Sequence, residues 1–116
     1  MANACLFIGW NRPFPGQDKE AFGFLVGEAR PLLDKWLEQG WFEARRIYGL
    51  TAHMGDLNGC IIVEGDRAKL DELRRTDEFE RFSIGMSKRF DRYGVVPGVT
   101  EQGMATVLQR NPIADR

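Results

Sequence analysis

Cys60-Ile61-Ile62-Val63 places four apolar side chains in a row, and at the two-residue period of a strand such a run presents apolar surface to both sides of a sheet. An antiparallel sheet covered on one side alternates apolar and polar residues instead. Cys5-Leu6-Phe7-Ile8-Gly9-Trp10 repeats the feature, with Leu6, Ile8 and Trp10 on one side and Cys5, Phe7 and Gly9 on the other. A chain built on these two strands needs two covers. Its own helices supply one, and the second must come from elsewhere.

The surrounding pattern supplies the helices. After the break at Pro13-Phe14-Pro15-Gly16 the period changes, and Phe22, Leu25, Val26, Ala29, Leu33, Trp36 and Leu37 fall on one helical stripe between an N-cap at Asp18 and a stop at Gly40. Pro31 lies within that helix, removes the amide bond back to Gly27 and predicts a kink near the middle. Residues 42–54 read as the second strand, 55–59 as a turn and 60–64 as the third strand, forming a hairpin. Asp66 caps a short helix to about Arg75, and Asp77 with Glu80 starts another that carries Phe79, Phe82, Met86 and Phe90. Pro97-Gly98 reads as a turn, and Met104-Ala105-Thr106-Val107-Leu108 as the last strand. The order is βαββαβ: an α+β domain over residues 1–110 with a four-stranded antiparallel sheet, two helical arms on one face and a tail at 111–116.

Composition excludes more than it selects. The 116 residues carry 16 basic and 17 acidic side chains, a formal charge of -1, so no bulk electrostatic attraction to nucleic acid or an anionic membrane exists. No apolar run approaches the roughly twenty residues that span a bilayer, and the first residues lack a basic leader, so a cytoplasmic location is expected. One histidine and two distant cysteines cannot build a structural zinc site, and both cysteines read as reduced core residues. Nucleotide-binding glycine loops, a nucleophile elbow and an EF-hand loop are missing. An RNA-recognition domain has the same element order, but residues 59–63 provide neither its stacking aromatics nor its basic residue.

With the two-faced strands, the Arg75-Thr76-Asp77-Glu78-Phe79 break in the second helical arm and Val96-Pro97-Gly98-Val99 near the end, the chain resembles the ferredoxin-like dimeric α/β-barrel superfamily. Small monooxygenases, muconolactone-isomerase-like proteins and many domains of unassigned role belong to it. The resemblance implies a homodimer in which the open sheet face of one copy covers that of the other. Burying Phe7 and one or two third-strand side chains there would contribute on the order of 1.5 to 3 kcal/mol each, before association costs.

Six residues are candidates for chemistry or binding. His53 is the single side chain whose ordinary pKa lies near neutrality, and at a strand end it is placed to act as a general base oriented by Thr51 or Asn11, or to be a solvated turn residue. Trp10 and Asn11 end the first strand at a cleft, where the resemblance implies substrate contact and packing with turn formation is the plain alternative. Arg45 and Arg46 point to opposite sides of the sheet, where Arg45 either takes an anionic group or pairs across strands. Tyr48, with its hydroxyl directed between sheet and helices, would donate to a ligand or to a core partner. No cofactor or metal is expected. Two functions follow as expectations: a homodimeric small-ligand-binding or regulatory domain without catalysis, its ligand a small apolar or aromatic molecule, or a cofactor-independent monooxygenase or isomerase acting on an aromatic or polyketide-like molecule.

Overall fold

The computed structural model describes residues 2–110; the tail expected at 111–116 lies outside them. Four strands, β1 (Ala4–Trp10), β2 (Ala44–Gly49), β3 (Gly59–Gly65) and β4 (Gly94–Val99), form one antiparallel sheet in the order β2-β3-β1-β4. The helical arms are α1 (Asp18–Phe24) with α2 (Arg30–Glu38), and α3 (Arg67–Arg74) with α4 (Asp77–Arg89); α5 (Glu101–Arg110) follows β4.

Both arms cover the same side of the sheet. Leu6, Ile8 and Trp10 of β1, with Ile61 and Val63 of β3, lie in one buried cluster with Leu33 and Trp36 of α2, Leu70 and Leu73 of α3, and Phe79, Phe82 and Met86 of α4. Aromatic rings fill its centre: Trp36 stacks on Phe79 at 5.7 Å and meets Phe82 edge-on at 5.8 Å. None of the described helices joins the buried cluster from the opposite side of the sheet. The molecule measures 52 × 35 × 20 Å, a thin slab of one sheet and one helix layer, and its radius of gyration of 15.7 Å exceeds the roughly 13 Å of a compact chain this long.

Pro31 does not break the first arm. Residues Leu25–Ala29 form a π-helical turn in which the Arg30 amide bonds to the Leu25 carbonyl, and Pro31 then sits in the first turn of α2, where its missing N–H costs little. The extra residue advances the helix phase by about 100°. Ala21 therefore faces the core, while Phe22 and Val26, expected on the buried stripe, are 50% and 60% exposed. Gly40, at φ +83°, ends α2 as expected.

The second arm is capped as two helices. The Asp66 carboxylate accepts from the Lys69 amide at 3.2 Å, and the Thr76 hydroxyl accepts from the Phe79 amide at 3.1 Å while donating to the Leu73 carbonyl. The second cap is thus Thr76, one residue before the expected Asp77.

Two expectations are corrected. β2 stops at Gly49, and residues 50–56 leave the sheet as an exposed loop. The last strand is Gly94–Val99, and Met104 to Leu108 belongs to α5. Pro97 is tolerated because β4 is an edge strand, and a short apolar run fits a helix as readily as a strand. Thr100 caps α5, accepting from the Gly103 amide at 3.1 Å and donating to the Ala2 carbonyl, and Gly103 lies so close to the Asn3 carbonyl that no Cβ would fit.

Candidate functional site

The strand registers map the uncovered face row by row. Tyr48, Cys60, Gly9 and Gly94 make one row across β2, β3, β1 and β4; Arg46, Ile62, Phe7 and Val96 the next; Ala44, Glu64, Cys5 and Gly98 the third. A bulky apolar ridge of Ile62, Phe7 and Val96 thus runs between two rows of mostly small side chains. Val96 is 58% exposed, and Phe7 and Ile62 are half-buried. Gly9 makes room for its neighbours, since a Cβ there would meet the Phe7 ring at 2.8 Å and Leu57 at 3.1 Å. Beside the ridge, Phe7, Leu57 and Val96 line a recess of about 260 Å³, with Asp56 and Arg92 at its border joined by an ion pair of 2.5 Å. Burial pushes the Cys60 thiol above its usual pKa and keeps it protonated.

The six residues singled out in the sequence are spread over four regions. Trp10 faces the helices, buried against Phe90 at 5.5 Å and over Gly59. Asn11 accepts a side-chain hydrogen bond from Asn58, and the Asn58 amide donates to the Trp10 carbonyl at 2.8 Å, so this pair staples the end of β1 to the start of β3. Thr51 and His53 lie in the exposed loop, where His53 Nδ1 is 2.9 Å from the Thr51 carbonyl. Tyr48 is 44% exposed on the uncovered face, not between sheet and helices, because its register with Cys60 turns it away from the core. Arg45 and Arg46 do point to opposite sides. Arg45 is held by Asp34, with Nε at 2.9 Å and Nη2 at 2.5 Å from Oδ1, and borders a recess of about 290 Å³ with Leu25, Val26, Arg30 and Ile47. Of Trp10, Asn11, Tyr48 and His53, only Trp10 borders any of the described recesses.

The largest described recess is one that sequence reasoning missed. A groove of about 470 Å³ runs between the first helical arm and α4, lined by Phe24, Leu32 and Phe82 with Glu28, Lys35, Glu78 and Arg81. Glu78 accepts from Lys35 Nζ and from Trp36 Nε1, each at 2.6 Å. These two donors, Lys35 first, hold its carboxyl below the usual carboxylate range. Phe24 is fixed with its ring over Gly85, where a Cβ would meet it at 2.5 Å, and Arg89 stacks on the ring at 4.3 Å. The sequence signal for this groove was Pro31, whose accommodation by a π turn accompanies the wall that carries Phe24 and Glu28. Among the described residues no three of His, Cys, Asp and Glu converge to hold a metal ion, and no helix is long and apolar enough to cross a membrane.

No protein-family model matches the chain, and no curated protein matches it in sequence. Solved structures do match its fold. An ethyl tert-butyl ether degradation (EthD) family protein from Bacillus halodurans superposes with a TM-score of 0.62 at 17% identity, over 83% of this chain and 96% of its own. A Pseudomonas aeruginosa protein gives 0.61 at 20% identity over 86% and 95%. A Bacteroides fragilis protein described as dimeric, of unknown function and ferredoxin-like in fold gives 0.60 at 6% identity over 84% and 96%. The chain shares that ferredoxin-like fold.

Proposed function

We propose that the protein is a homodimeric domain that binds a small apolar or aromatic molecule without catalysing a reaction on it, two copies joining open face to open face. The observation that carries this reading is the ridge of Ile62, Phe7 and Val96 left uncovered on a slab 20 Å thick. Apolar residues clustered on a sheet face mark an interaction surface, and sheets stack about 10 Å apart with their side chains interdigitated. A ridge flanked by a row containing Gly9 and Gly94 suits a second copy related by a two-fold axis, because such an interface must be complementary to itself. The Bacteroides fragilis protein of the same fold, described as dimeric, supports a dimer.

The separation of Asn11, Tyr48 and His53 supports binding over catalysis, since acid–base chemistry needs its groups within hydrogen-bond reach of one substrate. Sedimentation velocity at micromolar concentration tests the assembly. A species of twice the 13.2 kDa chain mass is expected, and Phe7→Asp is expected to halve it. A wild-type protein that sediments only as a 13.2 kDa species refutes the dimer.

A further inference from the structure

We propose that the groove between the first helical arm and α4 binds an α-amino acid with a large apolar side chain. This rests on the ligand-binding reading above and gives that ligand a place and a chemical class. The groove's volume of about 470 Å³ is within the range of small-molecule sites, about 300–1,000 Å³. Phe24, Leu32 and Phe82 give it an apolar wall, and Phe24 is held by Gly85 on one side and Arg89 on the other, so that wall is largely preformed.

The charges decide the ligand's polar end. Lys35 and Glu78 neutralise each other at 2.6 Å, and Trp36 Nε1 donates to the second Glu78 oxygen, so this pair is already satisfied. Arg81 from α4 and Glu28 from the π turn remain. Both are exposed; Arg81 attracts Glu78 through space, and neither Arg81 nor Glu28 makes a hydrogen bond or ion-pair contact among the described residues. One cation and one anion beside an apolar wall match a molecule that carries a carboxylate, an ammonium and an apolar body. A simple acid would leave Glu28 facing like charge, and a simple amine would do the same to Arg81.

The test is isothermal titration calorimetry with L-phenylalanine, hydrocinnamate, which lacks the ammonium, and phenethylamine, which lacks the carboxylate. Each is titrated into the wild type, Arg81→Gln, Glu28→Gln, Leu32→Trp, which fills the groove, and Leu57→Trp, which fills the open-face recess. Circular dichroism checks the folding of every variant. Saturable binding of phenylalanine is expected, weakened about tenfold by loss of either charge from protein or ligand, abolished by Leu32→Trp and retained in Leu57→Trp. Equal binding of all three probes overturns the amino-acid class. Binding lost in Leu57→Trp and kept in Leu32→Trp overturns the groove and leaves the ligand-binding reading standing. No saturable binding of any probe to folded wild-type protein overturns the amino-acid groove and leaves the homodimer, tested by sedimentation, standing.

Discussion

The two faces of the sheet are made by the same strands and separated by one residue at a time. On the helix side Leu6, Ile8, Ile61 and Val63 are at most 1% exposed, packed against aromatic rings from both arms. On the other side Val96 is 58% and Tyr48 44% exposed. Apolar content alone does not distinguish them, since Phe7 and Ile62 are as apolar as the residues they alternate with. The covered face works as a core within one chain, while the uncovered face carries an apolar ridge with no occupant among the described residues. On the proposed reading stability and assembly separate by face, and substitutions on the two sides should report on different properties.

The largest effect is expected on the covered side. Trp36→Ala removes a buried indole from the ring cluster and should cost about 3–5 kcal/mol in denaturant unfolding. A loss below 1 kcal/mol would mean the cluster is not the core. On the uncovered side, Phe7→Asp should weaken self-association by about 2–4 kcal/mol, at least roughly thirtyfold in Kd, and leave most of the monomer's stability in place. If unfolding stability falls as far as in Trp36→Ala, the division between faces fails.

Titration sharpens the contrast. Burial beneath Phe82 pushes the Tyr93 hydroxyl up to about 12, although its hydrogen bond to Ser83 at 2.8 Å acts the other way. The unfolded chain releases this proton near pH 10 and the folded chain holds it to about 12, so stability is fully present below pH 10 and falls as pH rises between them. The loss should reach roughly 2 kcal/mol, and Tyr93→Phe should abolish it; an unchanged alkaline slope in that variant would assign it elsewhere. The smallest effect belongs to the groove. The lowered Glu78 carboxyl stabilises the fold above the ordinary carboxylate range, and that contribution is lost as pH falls below it. Glu78 is partly exposed, so Glu78→Gln should flatten the acid limb by no more than about 1 kcal/mol in thermal unfolding.

Much of this architecture was legible in the sequence because it depends on local pattern. The unbroken apolarity of residues 60–63 and the alternation through 5–10 located β1 and β3, predicted an uncovered face and placed both helical arms. β4 was not legible. Its two glycines and Pro97 carry turn chemistry, and only edge position lets them serve as a strand, which is information about neighbours and not about the segment. Phe22 and Val26 were misassigned to the core because a constant helical period cannot anticipate a residue inserted by a π turn. The candidate residues fared according to how local their role was. The hydrogen bond between Asn11 and Asn58 spans 47 positions, and the groove joins Glu28 to Arg81 across the fold, so neither has a signature in either segment alone.

Pro97 on the outer strand has a consequence for stoichiometry. A proline cannot donate to a fifth strand, and the opposite edge, β2, carries the charges Arg45 and Arg46, so both borders of the sheet resist continuation. Edge pairing repeats without limit and yields filaments, whereas a face is used up by one occupant. If the uncovered face self-associates as proposed, blunt borders beside it bias that association toward a closed count of two and away from open-ended growth.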